Sequence, residues 1–389
     1  MIGVEVSILG YSIKEELYNG SRTLVLRAIR DGDKKPVIIK LLKNPYPSFN
    51  ELLQFRNQYT IVKNLDIHGI VPVYSLEAYQ NSYALVMEDF GGVCLHEYMK
   101  TVNFVSVEDI LSIGLQITDV IHDLNQNCVI HKDIKPANIL INPQTCEIKL
   151  IDFSIASLLA KETQEIKNPN VLEGTLAYIS PEQTGRMNRG VDYRSDFYAL
   201  GVTLFELFTG ELPFKSDDAM ELVHCHIAKI PPMMKKPHPS PLLGKEREQE
   251  IYLLGKEREL KEIPQVLSDI VMKLMAKNAE DRYQSALGLK YDLEVCLRQL
   301  KETDNIQNFK IAQRDICDRF IIPEKLYGRE TEVAQLLAAF ERISGVTSGS
   351  LALPGNPYLE AQPREMKAEP STSGSLALPG NPYLEAQPR

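Results

Sequence analysis

The sequence predicts an α+β fold in two lobes: a small antiparallel sheet with one main helix in residues 1–90, and a larger helical lobe over 91–300. Three observations predict it. β-branched runs dominate the first 90 residues, "GG" at 91–92 interrupts them, and apolar residues then recur every three or four positions. At 389 residues, 44% apolar and 24% charged, the chain is long enough for a sizeable core.

In the first lobe, "TLVLRAIR" and "KPVIIKLLK" read as strands joined by "DGDKK", a hairpin signal centred on Asp31-Gly32. "PSFNELLQFRNQYTIVKNL" has helical spacing, with Leu52, Phe55, Tyr59 and Val62 on one face. "IVPVYSLEAY" and "SYALVMEDF" read as two further strands. In the second lobe, "VEDILSIGLQITDVIHDLNQN" opens with an acidic first turn and carries an apolar stripe. "SDFYALGVTLFELFTG" is apolar nearly all round, which predicts a buried central helix ending at Gly210. "IPQVLSDIVMKLMAKN" and "SALGLKYDLEVCLRQL" are two more amphipathic helices.

Composition narrows the classes. A net charge of −9 argues against a general affinity for nucleic acid or anionic membrane. Six cysteines without a CxxC pair fit a reducing compartment better than a zinc or disulfide framework. The start lacks the pattern of a signal peptide, and no apolar run reaches the ~20 residues of a membrane span. A cytoplasmic location is expected.

Two repeats interrupt the pattern. "LLGKERE" stands at 242–248 and 253–259, inside an insertion expected over 238–262. "SGSLALPGNPYLEAQPR" occurs at 348–364 and identically at 373–389, so 346–389 reads as a disordered duplicated tail. "HCH" at 224–226 invites a metal reading, but adjacent helical residues point in different directions, and a packed helix explains it better. "PHPSP" at 237–241 is read as a connector.

The chemistry centres on "VIHKDIKPANIL", residues 129–140. Asp, Lys and Asn in a loop are ordinarily turn formers. Transfer of a γ-phosphoryl group would instead use a carboxylate for the attacking hydroxyl, a cation near the phosphate and oxygen ligands for magnesium. Asp133, Lys135 and Asn138 supply those types on one loop. The segment resembles the protein-kinase catalytic loop H-R-D-L-x-x-x-N. "LIDFSIA" is similar to the family's D-F-G, and "GTLAYISPE" at 174–182 to the end of an activation segment. Arg282 matches the distant partner of Glu182, and Asp196 in "RSDFYALG" the aspartate that braces the catalytic loop.

The resemblance covers about residues 10–300 and implies a bilobal serine/threonine protein kinase of bacterial type. It implies ATP and Mg²⁺, with Asp133 as base, Lys135 beside the γ-phosphate, and Asn138 and Asp152 as metal ligands. Lys40 in "VIIK" would hold the α and β phosphates, Gly20 and Val25 would cover the nucleotide, and backbone groups of Glu88 and Phe90 would meet adenine after the gatekeeper Met87. The partner implied is a protein with a Ser or Thr hydroxyl.

Departures stand beside the matches. "LYNGSRTLV" keeps one glycine, Gly20, of the usual three. Gln58 falls where a glutamate normally pairs with the strand lysine, and Glu51 lies two turns earlier. Ile38 replaces an alanine against adenine, Ser154 the glycine after Phe153, and Lys132 an arginine that binds a phosphorylated loop in many relatives. Thr163 and Thr175 are candidate phosphosites. These departures keep open a pseudokinase, a nucleotide-binding regulatory scaffold with little phosphotransfer. A small-molecule phosphotransferase is a third reading, opposed by Lys135 and "GTLAYISPE".

Residues 301–345 read as a linker followed by "IPEKLYGRETEVAQLLAAFERISG", similar to the lead-in of the AAA-type ATPase domain that follows the kinase domain in very large cyanobacterial sensor kinases. No G-x-x-x-x-G-K-[ST] follows, so a remnant is expected, with sensor, ATPase or histidine-kinase modules as separate or formerly fused partners.

Overall fold

The computed structural model describes residues 7–101, 106–158, 161–162, 175–187, 189–234 and 263–317, and position 335. The chain divides into Met1–Lys325 and Leu326–Arg389, and all described residues except position 335 belong to the first unit. Thr163, "PHPSP", both "LLGKERE" copies, the duplicated tail and, apart from position 335, the ATPase-like lead-in lie outside the described residues.

Five strands build the small lobe: β1 (Tyr11–Asn19), β2 (Thr23–Arg30), β3 (Pro36–Leu42), β4 (Val73–Tyr79) and β5 (Ser82–Glu88). They form one antiparallel sheet in the order β1-β2-β3-β5-β4. Strand alternation sorts β3 into two faces. Val37, Ile39 and Leu41 join Leu26, Ala28, Ala84 and Val86 in one buried cluster, leaving Ile38 and Lys40 on the opposite face. The β2–β3 connection is longer than a two-residue Asp-Gly turn. Arg30 N donates to Lys35 O, and the left-handed position is Lys34 (φ 59°), not Gly32.

Helix α1 (Phe49–Val62) follows β3. Ser48 caps it and Glu51 closes the reciprocal capping box, with Ser48 N donating to Glu51 Oε2 at 2.8 Å. Its buried face is Phe55, Gln58, Ile61 and Val62, rotated from the expected one, while Leu52 and Tyr59 are half-buried. A polar side chain therefore occupies the inward stripe.

In the large lobe, β6 (Val93–Cys94), β7 (Ile139–Ile141) and β8 (Ile148–Leu150) form a three-stranded sheet, and α2 (Leu95–Thr101) and α3 (Val107–Gln126) follow β6. Helix α4 (Arg194–Thr209) buries fourteen of its sixteen residues and ends at Gly210 with φ 73°, the left-handed cap expected there. Around it lie α5 (Ala219–Ala228), α6 (Gln265–Leu274) and α7 (Ala286–Thr303). One continuous core runs from Ile61 and Val62 of α1 through Phe153 to α4 and α7.

The expected boundary at residue 300 gives way. α7 continues to Thr303, and the chain then folds back with Ile306 buried. Asp315 accepts the amides of Gln284 and Ser285 at 2.8 Å just ahead of α7. Gly288 permits this approach, because a Cβ there would lie 2.6 Å from Asp315 Cα. Residues 304–317 are thus an integral strap on the lobe rather than a linker.

Candidate active site

The loop after α3 is held from below. Asp196, fully buried on α4, accepts the backbone amides of His131 and Lys132, each at 2.8 Å. Burial pushes the Asp196 carboxyl up, against the pull of His131 and these amides. Gln183 Nε2 adds a bond to Lys132 O at 2.9 Å. His131 accepts the Asp133 amide at Nδ1 (3.3 Å), places Nε2 3.1 Å from Ile151 O, and meets Phe153 edge-on with ring centroids 4.7 Å apart. Lys132 (φ 69°) and Asp152 (φ 67°) adopt left-handed backbone, which costs energy for residues of this kind and persists only under such bracing.

Asp133 gathers the loop's polar groups. Lys135 Nζ donates to its Oδ2 at 2.5 Å and Asn138 Nδ2 to the same oxygen at 2.8 Å, while the Thr175 amide donates to Oδ1 at 3.1 Å. Lys135 also donates to Thr175 Oγ1, so the activation-segment end and the catalytic-type loop meet at one carboxylate. Asn138 commits its nitrogen to Asp133, and no described residue donates to its oxygen. Ile151 N donates to Asn138 O at 2.9 Å, which sets Asp152 beside the loop.

From the other lobe, Lys40 Nζ lies 3.0 Å from Asp152 Oδ1 and donates to Gln58 Oε1 at 3.1 Å. Burial would raise the Asp152 carboxyl, but the Lys40 ammonium, with Ser154 and His131, holds it at about 2. Asn57, one residue before Gln58, donates to Ser154 O and Ala156 O at 3.2 and 2.9 Å, tying α1 to the Asp-Phe-Ser segment. Glu51 is spent on its capping box and does not stand in for Gln58.

Between the lobes, Ile38, Phe90, Leu140 and Ile151 pack against the cluster of Phe55, Val71, Leu85 and Met87. The Glu88 amide donates to Pro72 O at 3.0 Å. Lys149 of β8 pairs with Glu88 Oε2 at 2.8 Å and stands 5.0 Å from the Phe90 ring centroid. Val25 pairs with Lys40 across β2–β3. At the β1–β2 turn, Gly20 N donates to Thr23 O, and Lys43 holds Gly20 O at 3.0 Å. The Tyr18 ring and hydroxyl lie where a Gly20 Cβ would stand. Gly20's own amide is therefore committed, and the turn offers those of Ser21 and Arg22.

Glu182 and Arg282 form a buried two-point pair, at 2.7 and 2.8 Å. Burial opposes ionisation of Glu182, yet the Arg282 guanidinium holds its carboxyl at about 2. His226 is buried, bonded to Tyr198 through Nδ1 at 3.0 Å, and burial pulls it down to about 4, while His224 is exposed. His224 and His226 thus point in different directions from α5, with His226 packed into the lobe. Sequence reasoning missed Asn57 and Lys149. Neither carries a motif, and only the alternation of Lys149 between buried Ile148 and Leu150 hinted at its placement.

The protein kinase domain family model matches residues 11–292. Serine/threonine-protein kinase PrkC of Bacillus subtilis is 33% identical over 263 residues, covering 67% of this chain and 36% of that protein. Serine/threonine-protein kinase PknB of Mycobacterium tuberculosis is 30% identical over 272 residues, covering 69% and 39%. Hybrid signal transduction histidine kinase G of Dictyostelium discoideum is 30% identical over 328 residues, covering 62% and 9%. The chain spans two fifths or less of these three relatives' lengths. With the family model matched across both lobes, the chain belongs to the protein kinase domain family.

Proposed function

We propose that this chain is an ATP-dependent serine/threonine protein kinase acting in bacterial signalling. The observation that carries the reading is the meeting of Asp133, Lys135, Asn138 and Thr175 at one carboxylate, beside the Lys40–Asp152 pair. Asp133 orients a substrate hydroxyl and takes its proton, and the Thr175 amide fixes the carboxylate's angle. Lys135 lies within reach of both Asp133 and the γ-phosphate, and Lys40 holds the inner phosphates. Val25, the turn at Gly20, and the backbone of Glu88 and Phe90 position the nucleotide.

Two oxygens fit a hard cation. Asp152 Oδ1 is buried and accepts no hydrogen bond from the described residues, its contact being the Lys40 ion pair, and Asn138 Oδ1 likewise has no donor. Magnesium bound there would neutralise charge on the phosphates. The substrate class is a protein presenting Ser or Thr. ATP as co-substrate suits the cytoplasm, and no described helix is long and apolar enough to cross a membrane. Residues 322–345 we read as the remnant of an ATPase-domain lead-in, with signalling modules as partners.

Gln58 at the position of the helix glutamate, with Tyr18 over Gly20, favours a second reading, a nucleotide-binding scaffold with weak transfer. The test is phosphate incorporation into a generic protein substrate with ATP and Mg²⁺, beside Asp133→Ala. Incorporation by the unaltered chain alone is expected, with a loss of about 10²-fold or more in the variant. Equal background from both, with nucleotide still bound, replaces the kinase by the scaffold.

A further inference from the structure

Gln58 is 4% exposed, and its oxygen faces Lys40. The orientation is forced chemically, because an ammonium only donates and must meet the amide's oxygen rather than its nitrogen. The two hydrogens on Nε2 are then turned away from Lys40, and no described residue accepts them. A carboxylate at this position would have none to offer. It would also leave Lys40 and two carboxylates with a local charge of −1, whereas Lys40 and Asp152 alone sum to zero.

We propose that the neutral Gln58, by bonding Lys40 without adding a second carboxylate, leaves a phosphate seat with little need of a divalent cation. The Lys40 ammonium meets an incoming di- or triphosphate with no second carboxylate beside it to repel the charge. Asp152, already neutralised by Lys40, does not demand a cation before nucleotide enters. The seat deepens the nucleotide reading above and rests on it.

The experiment is calorimetric titration of ADP into the full chain, once with Mg²⁺ and once with excess EDTA, for the unaltered protein, Gln58→Glu and Gln58→Leu. A unit charge roughly 8 Å from a phosphate, at an effective dielectric constant of about 20, alters binding by about thirtyfold. The ratio of the EDTA Kd to the Mg²⁺ Kd should therefore be at least about tenfold larger in Gln58→Glu than in the unaltered chain. Gln58→Leu is likewise uncharged, so its ratio should stay within about threefold of the unaltered chain's. Equal ratios in the unaltered chain and Gln58→Glu overturn the charge argument while nucleotide binding stands. A Gln58→Leu ratio as large as that of Gln58→Glu overturns it as well, because the amide and not the missing charge would then set the cation dependence. No ADP binding by any of the three, even with Mg²⁺, overturns the nucleotide reading and this inference together.

Discussion

Replacing Arg282 by methionine should unfold the large lobe at markedly lower denaturant. Arg282 is fully buried and all five of its N–H hydrogens are used. Nη1 and Nη2 hold the two oxygens of Glu182, and they also reach Arg194 O and Lys277 O at 2.9 and 3.1 Å, while Nε reaches Ala276 O at 2.8 Å. In Arg282→Met, Glu182 loses both guanidinium bonds and keeps the Ser195 hydroxyl at 2.6 Å, and three carbonyls lose a donor. Breaking one side of a buried ion pair costs about 3–5 kcal/mol, because the remaining charge is left without compensation. In a domain of this size that lowers the melting temperature by about 10 °C.

The pH dependence gives a second, independent sign. In the unaltered chain, Glu182 is held from its ordinary 4.5 down to about 2, so its contribution is present above 4.5 and lost only as pH falls through 2. Without Arg282, burial dominates and raises the carboxyl. The folded variant then takes up a proton more readily than the unfolded chain, and it gains stability as pH falls from 7.5 to 5.5. The gap between the two proteins should narrow in acid. Urea unfolding followed by circular dichroism at 222 nm measures this in a chain that has no tryptophan. A gap below about 1 kcal/mol at pH 7.5, or one that widens on acidification, refutes the reasoning.

Two further outcomes are expected. Asp196→Asn sets an NH₂ against one of two backbone N–H groups, which should cost about 1–3 kcal/mol and speed hydrogen exchange selectively at His131 and Lys132; unchanged exchange there would show that the brace is not needed. Gly288→Ala forces Asp315 away and should destabilise by about 1–3 kcal/mol, with a penalty at least ~0.5 kcal/mol smaller in an Asp315→Ala background; strict additivity of the two changes would mean the strap does not bear on α7.

Much of the fold was legible because local chemistry and long-range packing agreed. The near-continuous apolar run of α4 and Gly210 after it could only be a buried helix with a left-handed cap. "HKDIKPANIL", "DFS" and "SPE" announced their places because each spacing holds several polar groups on one short loop. The face of α1 was not legible: Leu52 and Tyr59 looked like core, yet Gln58 turned inward because Lys40 waits there on the opposite lobe face.

The sequence by itself determined which residues could do chemistry and in what order they come along the chain. Tertiary structure alone decided which of them meet. Thr175 reaches Asp133 across 42 positions, Asn57 ties α1 to Ser154 across 97, and Asp315 folds back onto Gln284 across 31. The physical reason is that periodicity and turn chemistry report on a residue and its near neighbours. A hydrogen bond between distant segments depends on how two whole lobes pack, and no single stretch of sequence carries that information.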